Sequence, residues 1–551
     1  MIVAKVTTLR LATLLVASAV PQTAFAQDSS GLDEAGTRGS AAARTEVTPY
    51  IEVAQVLTTE LSPGDDTVTY SRVAAGVEAN IVGNRTAGGV SLRYERRIGY
   101  GDDMVQGDYL SGVARVSAEV VPQTVTVDAG ALATRSRFDR GNVSPLVTQD
   151  DSQTSTVYSV YAGPSVSTRA GDVAVNAGYR AGYTRVDSND AVAIRPGSDP
   201  TDAFDESIVQ SAQLSAGTRA GEVLPVGVTA AAGFFQEDIS NLDQRARDLY
   251  GRVDVTVPIT RDVALMGGVG YENVELSSRD AVRDASGAAV IGNDGRYVTD
   301  GTAPRRIAYE ADGIIWDAGV MWRPSNRTAL EAHVGRRYGS TTYYGSFGYR
   351  PNQRLSINVS AYDNVTGFGG QITNALDNLP TSFRAIRNPV TGDLDNCVAS
   401  EEGGNCLSGV LGSVRSSLFR GRGVQVSATE QLGRISTGIG AGYDRRRFYA
   451  AQGTVLEAAD GLTDETYWVN AFVGAQLDRR SSFSGTIYAN WFESGLSPLN
   501  DATIYGANGI YARNILDALE GSVAVSLDGI TRDQLEDYWT ASAQLGLRYS
   551  F

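Results

Sequence analysis

The sequence predicts an all-β fold: a transmembrane, antiparallel, up-and-down β-barrel of about 22 strands (bounds about 20–24) with no plug domain. Three observations predict it. The last eight residues, Gln544 to Phe551, alternate without a fault: Leu545, Leu547, Tyr549 and Phe551 point one way, and Gln544, Gly546, Arg548 and Ser550 the other. From Glu46 onward the chain repeats segments of the same period, each long enough for the roughly 9–11 residues of a tilted membrane strand. The breaks between segments then fall into two classes, short and long, which alternate.

Taken in order, residues 1–26 read as a secretory signal. Lys5 and Arg10 supply its charge, Leu11 to Val20 its apolar stretch, and Ala24-Phe25-Ala26 a small-x-small cleavage site. The apolar run is too short for a spanning helix, which needs about 20 residues. Residues 27–45 are rich in Gly, Ala, Ser and acids without any period, and read as a flexible periplasmic tail. Residues 46–551 then supply the barrel, with strands expected near 46–60, 67–80, 85–98, 109–121, 124–137, 153–168, 172–187, 205–219, 225–238, 245–257, 262–278, 309–322, 327–338, 341–350, 353–365, 417–430, 434–449, 464–478, 482–494, 503–517, 519–529 and 536–551. Leu355 to Tyr362 shows the alternation most plainly.

The connections support this division independently. Short breaks at Gly83-Asn84, Pro122-Gln123, Ala170-Gly171, Pro351-Asn352 and Gly433 alternate with longer ones at 99–108, 138–152, 188–204, 279–308, 366–416 and 450–463. A soluble sandwich has no reason to keep two loop classes in alternation. A membrane barrel does, with short turns on one side and long loops on the other. No later stretch approaches a spanning helix, and only helices and closed barrels satisfy their backbone inside a bilayer.

The mature chain resembles large single-chain bacterial outer-membrane β-barrels. Its terminal Gln544, Gly546, Tyr549 and Phe551 resemble the signal by which the barrel assembly machinery recognises its clients. The resemblance implies localisation in the outer membrane after export. The runs Thr48 to Val53, Tyr94-Glu95-Arg96-Arg97 and Pro380 to Phe383 are similar to uncharacterised barrels often labelled preprotein translocase subunit YajC. That translocase subunit is a short chain with one membrane helix, so this resemblance implies a group of barrels and no mechanism.

Charge and composition exclude some classes. Removing Lys5 and Arg10 takes the formal charge from −16 to −18, which argues against nucleic acid as a partner. Every cation after the signal is arginine. Outward parity sends Arg96, Arg135, Arg137, Arg185, Arg336, Arg420, Arg422, Arg445 and Arg447 to the outer rim. There they would face outer-membrane lipid and the phosphates of lipopolysaccharide, which the guanidinium fork suits. Trp468, Trp491 and Trp539 are expected at one interfacial girdle, and Trp322, Tyr549 and Phe551 at the other. Inward parity gives a lumen wall of mixed sign: Arg93, Arg115, Arg180 and Arg548 with Glu119, Glu331 and the single histidine, His333. A mixed wall selects neither ion sign.

No catalytic motif accompanies His333, and no cofactor or metal is expected. Gly438, Gly440 and Gly442 imitate a dinucleotide motif but no helix follows them. Cys397 and Cys406 lack histidine partners for zinc and are expected to form a disulfide in an oxidising compartment. They lie in the long loop 366–416, which also carries Ile372, Leu376 and Leu379, and Val410, Val414 and Leu418, at helical spacing. Two dispositions of this loop are open: a constriction folded into the lumen, or a cap over the mouth. Function divides in the same way. A pore or export conduit for hydrophilic solutes such as saccharides leads. A structural or assembly barrel binding lipopolysaccharide or a protein comes next, and an enzyme last.

Overall fold

The computed structural model describes residues 44–100, 107–136, 155–187, 204–399, 405–406, 411, 414–496, 501–532 and 536–551. In chain order the elements are β1 (Arg44–Ser62), β2 (Thr67–Val82), β3 (Thr86–Gly99), β4 (Gly107–Val121), β5 (Val125–Ser136), β6 (Ser155–Ala170), β7 (Val173–Asp187), β8 (Glu206–Thr218), β9 (Gly227–Ile239), β10 (Gln244–Pro258), β11 (Val263–Ser278), β12 (Arg306–Ser325), β13 (Thr328–Arg337), β14 (Ser340–Tyr349), β15 (Leu355–Thr366), α1 (Phe368–Asp377), β16 (Arg384–Arg387), β17 (Leu394–Ala399), β18 (Asn405–Cys406), β19 (Phe419–Leu432), β20 (Ile435–Phe448), β21 (Thr463–Gln476), β22 (Ser481–Glu493), β23 (Ala502–Asn514), β24 (Leu519–Arg532) and β25 (Tyr538–Ser550).

The wall is one 22-stranded sheet. Each wall strand pairs antiparallel with the next, β15 passes to β19, and β25 returns to β1 from Tyr50↔Ser550 to Glu60↔Thr540. The sheet therefore closes and leaves no edge. Every segment expected from the period-two pattern is a wall strand. β1 begins at Arg44, so Arg44 and Thr45 pair with Val82 and Ile81 although the pattern assigned them to the tail. The signal and the rest of the tail lie outside the described residues.

Side chains alternate as strand geometry requires. On β3, Ser91, Arg93, Glu95 and Arg97 are buried inward while Leu92, Tyr94, Arg96 and Ile98 face out. On β25, Gln544 and Gly546 turn in, and Leu545, Leu547 and Tyr549 turn out, with Phe551 beyond the strand end and 70% exposed. Ile439, Val523, Val525, Ile314 and Val334 extend the outward apolar band over other strands.

On the long-loop side, residues 279–305 and 449–462 fold over the rim. Ala281, Leu456 and Ala459 pack there around Leu242. The Ser286 and Thr302 hydroxyls hold the exposed Asp284 and Asp300 carboxyls below the usual carboxylate range, with backbone amides adding to the effect.

The regular wall departs from uniformity in two places. β13 and β14 meet in a two-residue turn, Tyr338-Gly339, with φ of 53° and 64°. Positive φ at both centres matches the right-handed twist of the strands and makes the tightest hairpin. Tyrosine is strained there, and the Tyr309 hydroxyl, donating to Tyr338 O at 2.6 Å, holds it. The wall is consequently low at β13–β14, beside the tall β12. The second place is the connection between β15 and β19, which turns into the barrel.

Candidate functional site

The site is built from inward side chains and the segment they grip. The described residues of 367–418 pack against inward side chains of the wall, as the constriction expected for this loop requires. α1 carries Phe368, Ile372 and Leu376 on one face, and with Leu379 they pack against Val157, Val186, Ile239 and Val365 of the wall. The expected helical spacing of Ile372 and Leu376 is therefore real. The second stretch is not helical at residues 414–418, and Val410 lies outside the described residues.

Both ends of α1 are held by charge. At the start, the Gly367 amide donates to Glu237 Oε2 of β9 at 2.6 Å, and the Thr366 hydroxyl donates to the same oxygen at 3.0 Å. A buried carboxylate suits the positive end of a helix. Only glycine allows this approach, since a Cβ on Gly370 would stand 2.6 Å from that oxygen. At the other end Asp377 meets Arg180 Nη1 at 2.7 Å and Arg115 Nη2 at 3.7 Å, and Arg115 also faces Asp128 at 3.8 Å. These cations offset the cost of placing an acid at the negative end.

A second anchor holds the turn at 388–393. Glu52 accepts both Nη atoms of Arg93 at 3.0 Å and Arg72 Nη2 at 2.8 Å. Glu95 accepts Arg93 Nε at 3.2 Å and Arg97 Nε at 2.9 Å. Two carboxylates thus serve three buried guanidiniums. The surplus positive charge is met by carbonyls of the insert: Arg72 donates to Pro389 O and Val390 O, and Arg97 to Thr391 O at 2.8 Å. Gly392, with φ of 74°, brings the turn so close that a Cβ would collide with Glu95 Oε2. Arg387 donates to Ser111 and Ser91 hydroxyls at 2.7 and 2.9 Å. Burial draws its guanidinium below its ordinary value, with Tyr50 and Glu78 pulling the other way.

The insert also touches the far side. Gln371 donates to Asp444 of β20, Ser416 bonds Asn241 and Gln244, and Arg415 pairs with Asp464 of β21 at 3.2 Å. Val390 joins Val56, Tyr70 and Ala524. Phe383 reaches the level of Gly89, near the short-turn end of β3. The described part of the insert therefore touches the wall from β2 to β10 and again at β20 and β21.

The other expected wall residues are inward as parity requires. His333 presents Nδ1 to Asp317 at 3.1 Å and Nε2 to Glu331 at 3.3 Å, and stacks on Tyr344 at 4.6 Å. Both ring nitrogens face carboxylates, so His333 is placed as a wall residue and not as the base of a serine. Arg548 covers the Tyr50 ring at 3.6 Å, and Glu119 accepts the amide of Gln123. On β22–β24, Tyr488 donates to Asp528 at 2.6 Å, and Asn508 to Thr486.

At the rim, Arg96 and Arg185 face outward on exposed pairs with Asp108 and Asp187. Arg336, Arg445 and Arg447 also face outward. Three expectations need correction. Arg135 is not free for lipid: at the strand end it folds over the rim onto Asp393 at 2.6 Å and the Tyr109 ring at 4.2 Å, because the insert supplies an acid there. Arg420 keeps outward parity but is buried, clamping Asp363 with two bonds of 2.6 and 2.7 Å. Trp468 belongs to the inner face, because Gly442 leaves room for its indole. Arg137 lies outside the described residues.

Cys397 and Cys406 are register partners on β17 and β18. Sequence reasoning did not single out Glu52, Arg72, Glu237, Asp377 or Asp393. Inward parity alone could have found Glu52, Arg72 and Glu237.

No family model matches the sequence, and no curated protein matches it. Among solved structures, the chain is similar to the open form of the ferric-catecholate import receptor Fiu from E. coli K12. The identity is 10%, covering 91% of this chain and 81% of that one, with a TM-score of 0.44. It is also similar to the FrpB iron transporter from Neisseria meningitidis (11%, 92% and 81%, TM-score 0.43). The copper transporter OprC is a third (11%, 92% and 81%, TM-score 0.39). A likeness this distant carries nothing about cargo.

Proposed function

We propose that this chain is an outer-membrane conduit for hydrophilic solutes, and that its own segment 367–418 closes the conduit at rest. The apolar outward band supports the location. Each Val or Leu left in water forgoes about 1.5–3 kcal/mol of burial, and wall strands expose such residues throughout; lipid removes that cost. The terminal Gln544, Gly546, Tyr549 and Phe551 would present the chain to the barrel assembly machinery.

The observation that carries the conduit reading is the way the insert is held. Charged wall side chains grip backbone carbonyls and one helix, with no wall strand interrupted. Removing the insert would leave a continuous barrel with a polar lumen. Tyr344 beside His333, and Tyr488 beside Asp528 and Asn508, combine aromatic faces with polar atoms. That combination suits saccharides, whose rings offer C–H faces and hydroxyls.

The many contacts between insert and wall favour one competitor: a structural barrel that binds lipid or a protein and conducts nothing. Planar-bilayer recording separates the two. The full chain should be nearly silent, and a variant with 370–414 replaced by a short Gly-Ser bridge should show large steady channels. A silent deletion variant with an intact barrel would refute the conduit. Liposome swelling with sugars against zwitterionic amino acids then tests the saccharide preference.

A further inference from the structure

The low wall at β13–β14 leaves a recess of about 990 Å³ in the rim, lined from both the outer and the inner side of the wall. β12 forms one side, the Tyr338-Gly339 turn the floor, and β19 and β20 the other side. Arg336, Arg420, Arg422, Arg445 and Arg447 all line it. They come from β13 and from the consecutive strands β19 and β20, and the recess gathers five of the nine arginines that parity sends outward.

The arginines are not equally occupied. Arg420 and Arg422 share the single carboxylate of Asp363, which is fully buried between them. Arg445 approaches Glu465 at 3.4 Å and remains half exposed. Among the described residues, Arg336 and Arg447 have no acid partner; Arg336 reaches only Gly339 O at 3.5 Å, and Arg447 lies by the Tyr449 ring at 5.8 Å. The tilted pair Tyr309 and Tyr449, 4.4 Å apart, backs the recess. The opposite side, on β12, carries Glu310 and Asp312, while Asp460 of the segment after β20 and the inward Glu272 of β11 also line the recess.

The level is fixed by the residues beneath. Val334 precedes Arg336 on the same outward face, Val424 follows Arg422, and Ile439 and Tyr443 precede Arg445, with Ile314 and Trp316 exposed on β12. Each arginine thus stands where the apolar band ends on the long-loop side. A cation costs about 2–4 kcal/mol at the bilayer midplane and about 0–1 at this boundary.

We infer that this recess binds the phosphorylated sugar headgroup of an outer-leaflet glycolipid. Guanidinium forks suit phosphate oxygens, so phosphate takes the β13, β19 and β20 side, led by Arg336 and Arg447. Sugar hydroxyls donate to Glu310 and Asp312 on the β12 side. Tyr309 and Tyr449 cover a sugar face. The recess cuts across the rim and meets the inward Glu272 and Ala311 beneath the turn, and the inference stands whether or not the barrel conducts.

The test uses the full chain refolded in detergent, with native mass spectrometry and a competition titration as readouts. The probes are bisphosphorylated lipid A, the same lipid with its phosphates removed, and inorganic phosphate. The variants are Arg336→Gln/Arg447→Gln, which breaks no ion pair and should fold, and Val120→Gln on the outer face elsewhere as control. The wild type should retain bisphosphorylated lipid A at least about tenfold more tightly than the dephosphorylated lipid, and the double variant should lose about tenfold (about 1.4 kcal/mol). Equal retention by the double variant and the wild type would overturn the site. Lipid A held no more tightly than inorganic phosphate would overturn the glycolipid assignment.

Discussion

Asp377→Asn should unlock the insert without harming the barrel. Asp377 closes α1 between Arg180 Nη1 at 2.7 Å and Arg115 Nη2 at 3.7 Å, and the Asp377 and Arg180 side chains are 2% and 4% exposed. Removing one partner of a buried pair leaves the other charge uncompensated, at a cost of about 3–5 kcal/mol. Asp128, 3.8 Å from Arg115, faces that arginine, and Arg180 also donates to the Asn374 oxygen at 2.5 Å. The loss falls on the docked state, because the undocked arginines regain water. At about 1.4 kcal/mol per factor of ten, the undocked population rises by roughly two to three and a half powers of ten. Trypsin reads this population, since Arg387 is gripped while docked and cleavable when released. Cleavage should track the open fraction when reclosing is fast. Heat-modifiability on gels should remain that of the folded wall. Adding Arg180→Gln should restore much of the protection, because it removes the charge that Asp377 had paired. If trypsin cuts Asp377→Asn at Arg387 within twofold of the wild-type rate, the charge at the end of α1 is not what docks the insert.

The wall and the loop each supply a further outcome. Val525→Arg places a cation on an outward position of β24 that is 58% exposed. Folding into phospholipid vesicles should weaken by about 2–4 kcal/mol if the residue sits at mid-bilayer; an unchanged urea midpoint would contradict the lipid-facing band. Cys397 and Cys406 stand opposite one another on β17 and β18, so an intact-mass measurement should show two hydrogens gained on reduction. Cys397→Ser should then cost the insert about 2–3 kcal/mol in the loop-entropy picture, seen as faster trypsin cleavage. Two free thiols in protein taken from the envelope would refute the pairing.

The wall was legible because its rule is local. A period of two, a turn and a return are all written within some thirty residues, and each strand repeats them. The alternation from Arg93 to Ile98 and from Gln544 to Tyr549 needs no distant partner to be read. Parity failed at strand ends, where side chains escape the pleat: Arg135 is the last but one residue of β5, and its guanidinium bends to an acid 258 positions away. The arginine recess depended on the height of the β13–β14 turn against β12, which no single strand encodes. The insert was half legible. Ile372 and Leu376 announced a helix, but nothing near Pro389, Val390 and Thr391 announces that Arg72 and Arg97 need their carbonyls.

That difference between the two anchors decides which half of the insert can move. Undocking α1 would expose Phe368, Ile372, Leu376 and Leu379, all fully buried, at about 1.5–3 kcal/mol each. Water in the lumen does not replace that loss. The turn at 388–393 is held chiefly by hydrogen bonds from Arg72, Arg97 and Arg135 to its carbonyls and to Asp393. Such bonds to charged groups contribute about 1.5–3 kcal/mol each in place, yet when they open both sides are wetted, and Glu52 and Glu95 still hold Arg72 and Arg97. Only Val390 gives up a fully buried apolar contact. The turn at 388–393 therefore opens first, while Arg387 stays on Ser91 and Ser111 and α1 remains as the hinge. Hydrogen exchange should show amides of 371–377 protected longer than those of 390–394. The opposite order would make α1 the moving part and would require a gate of different design.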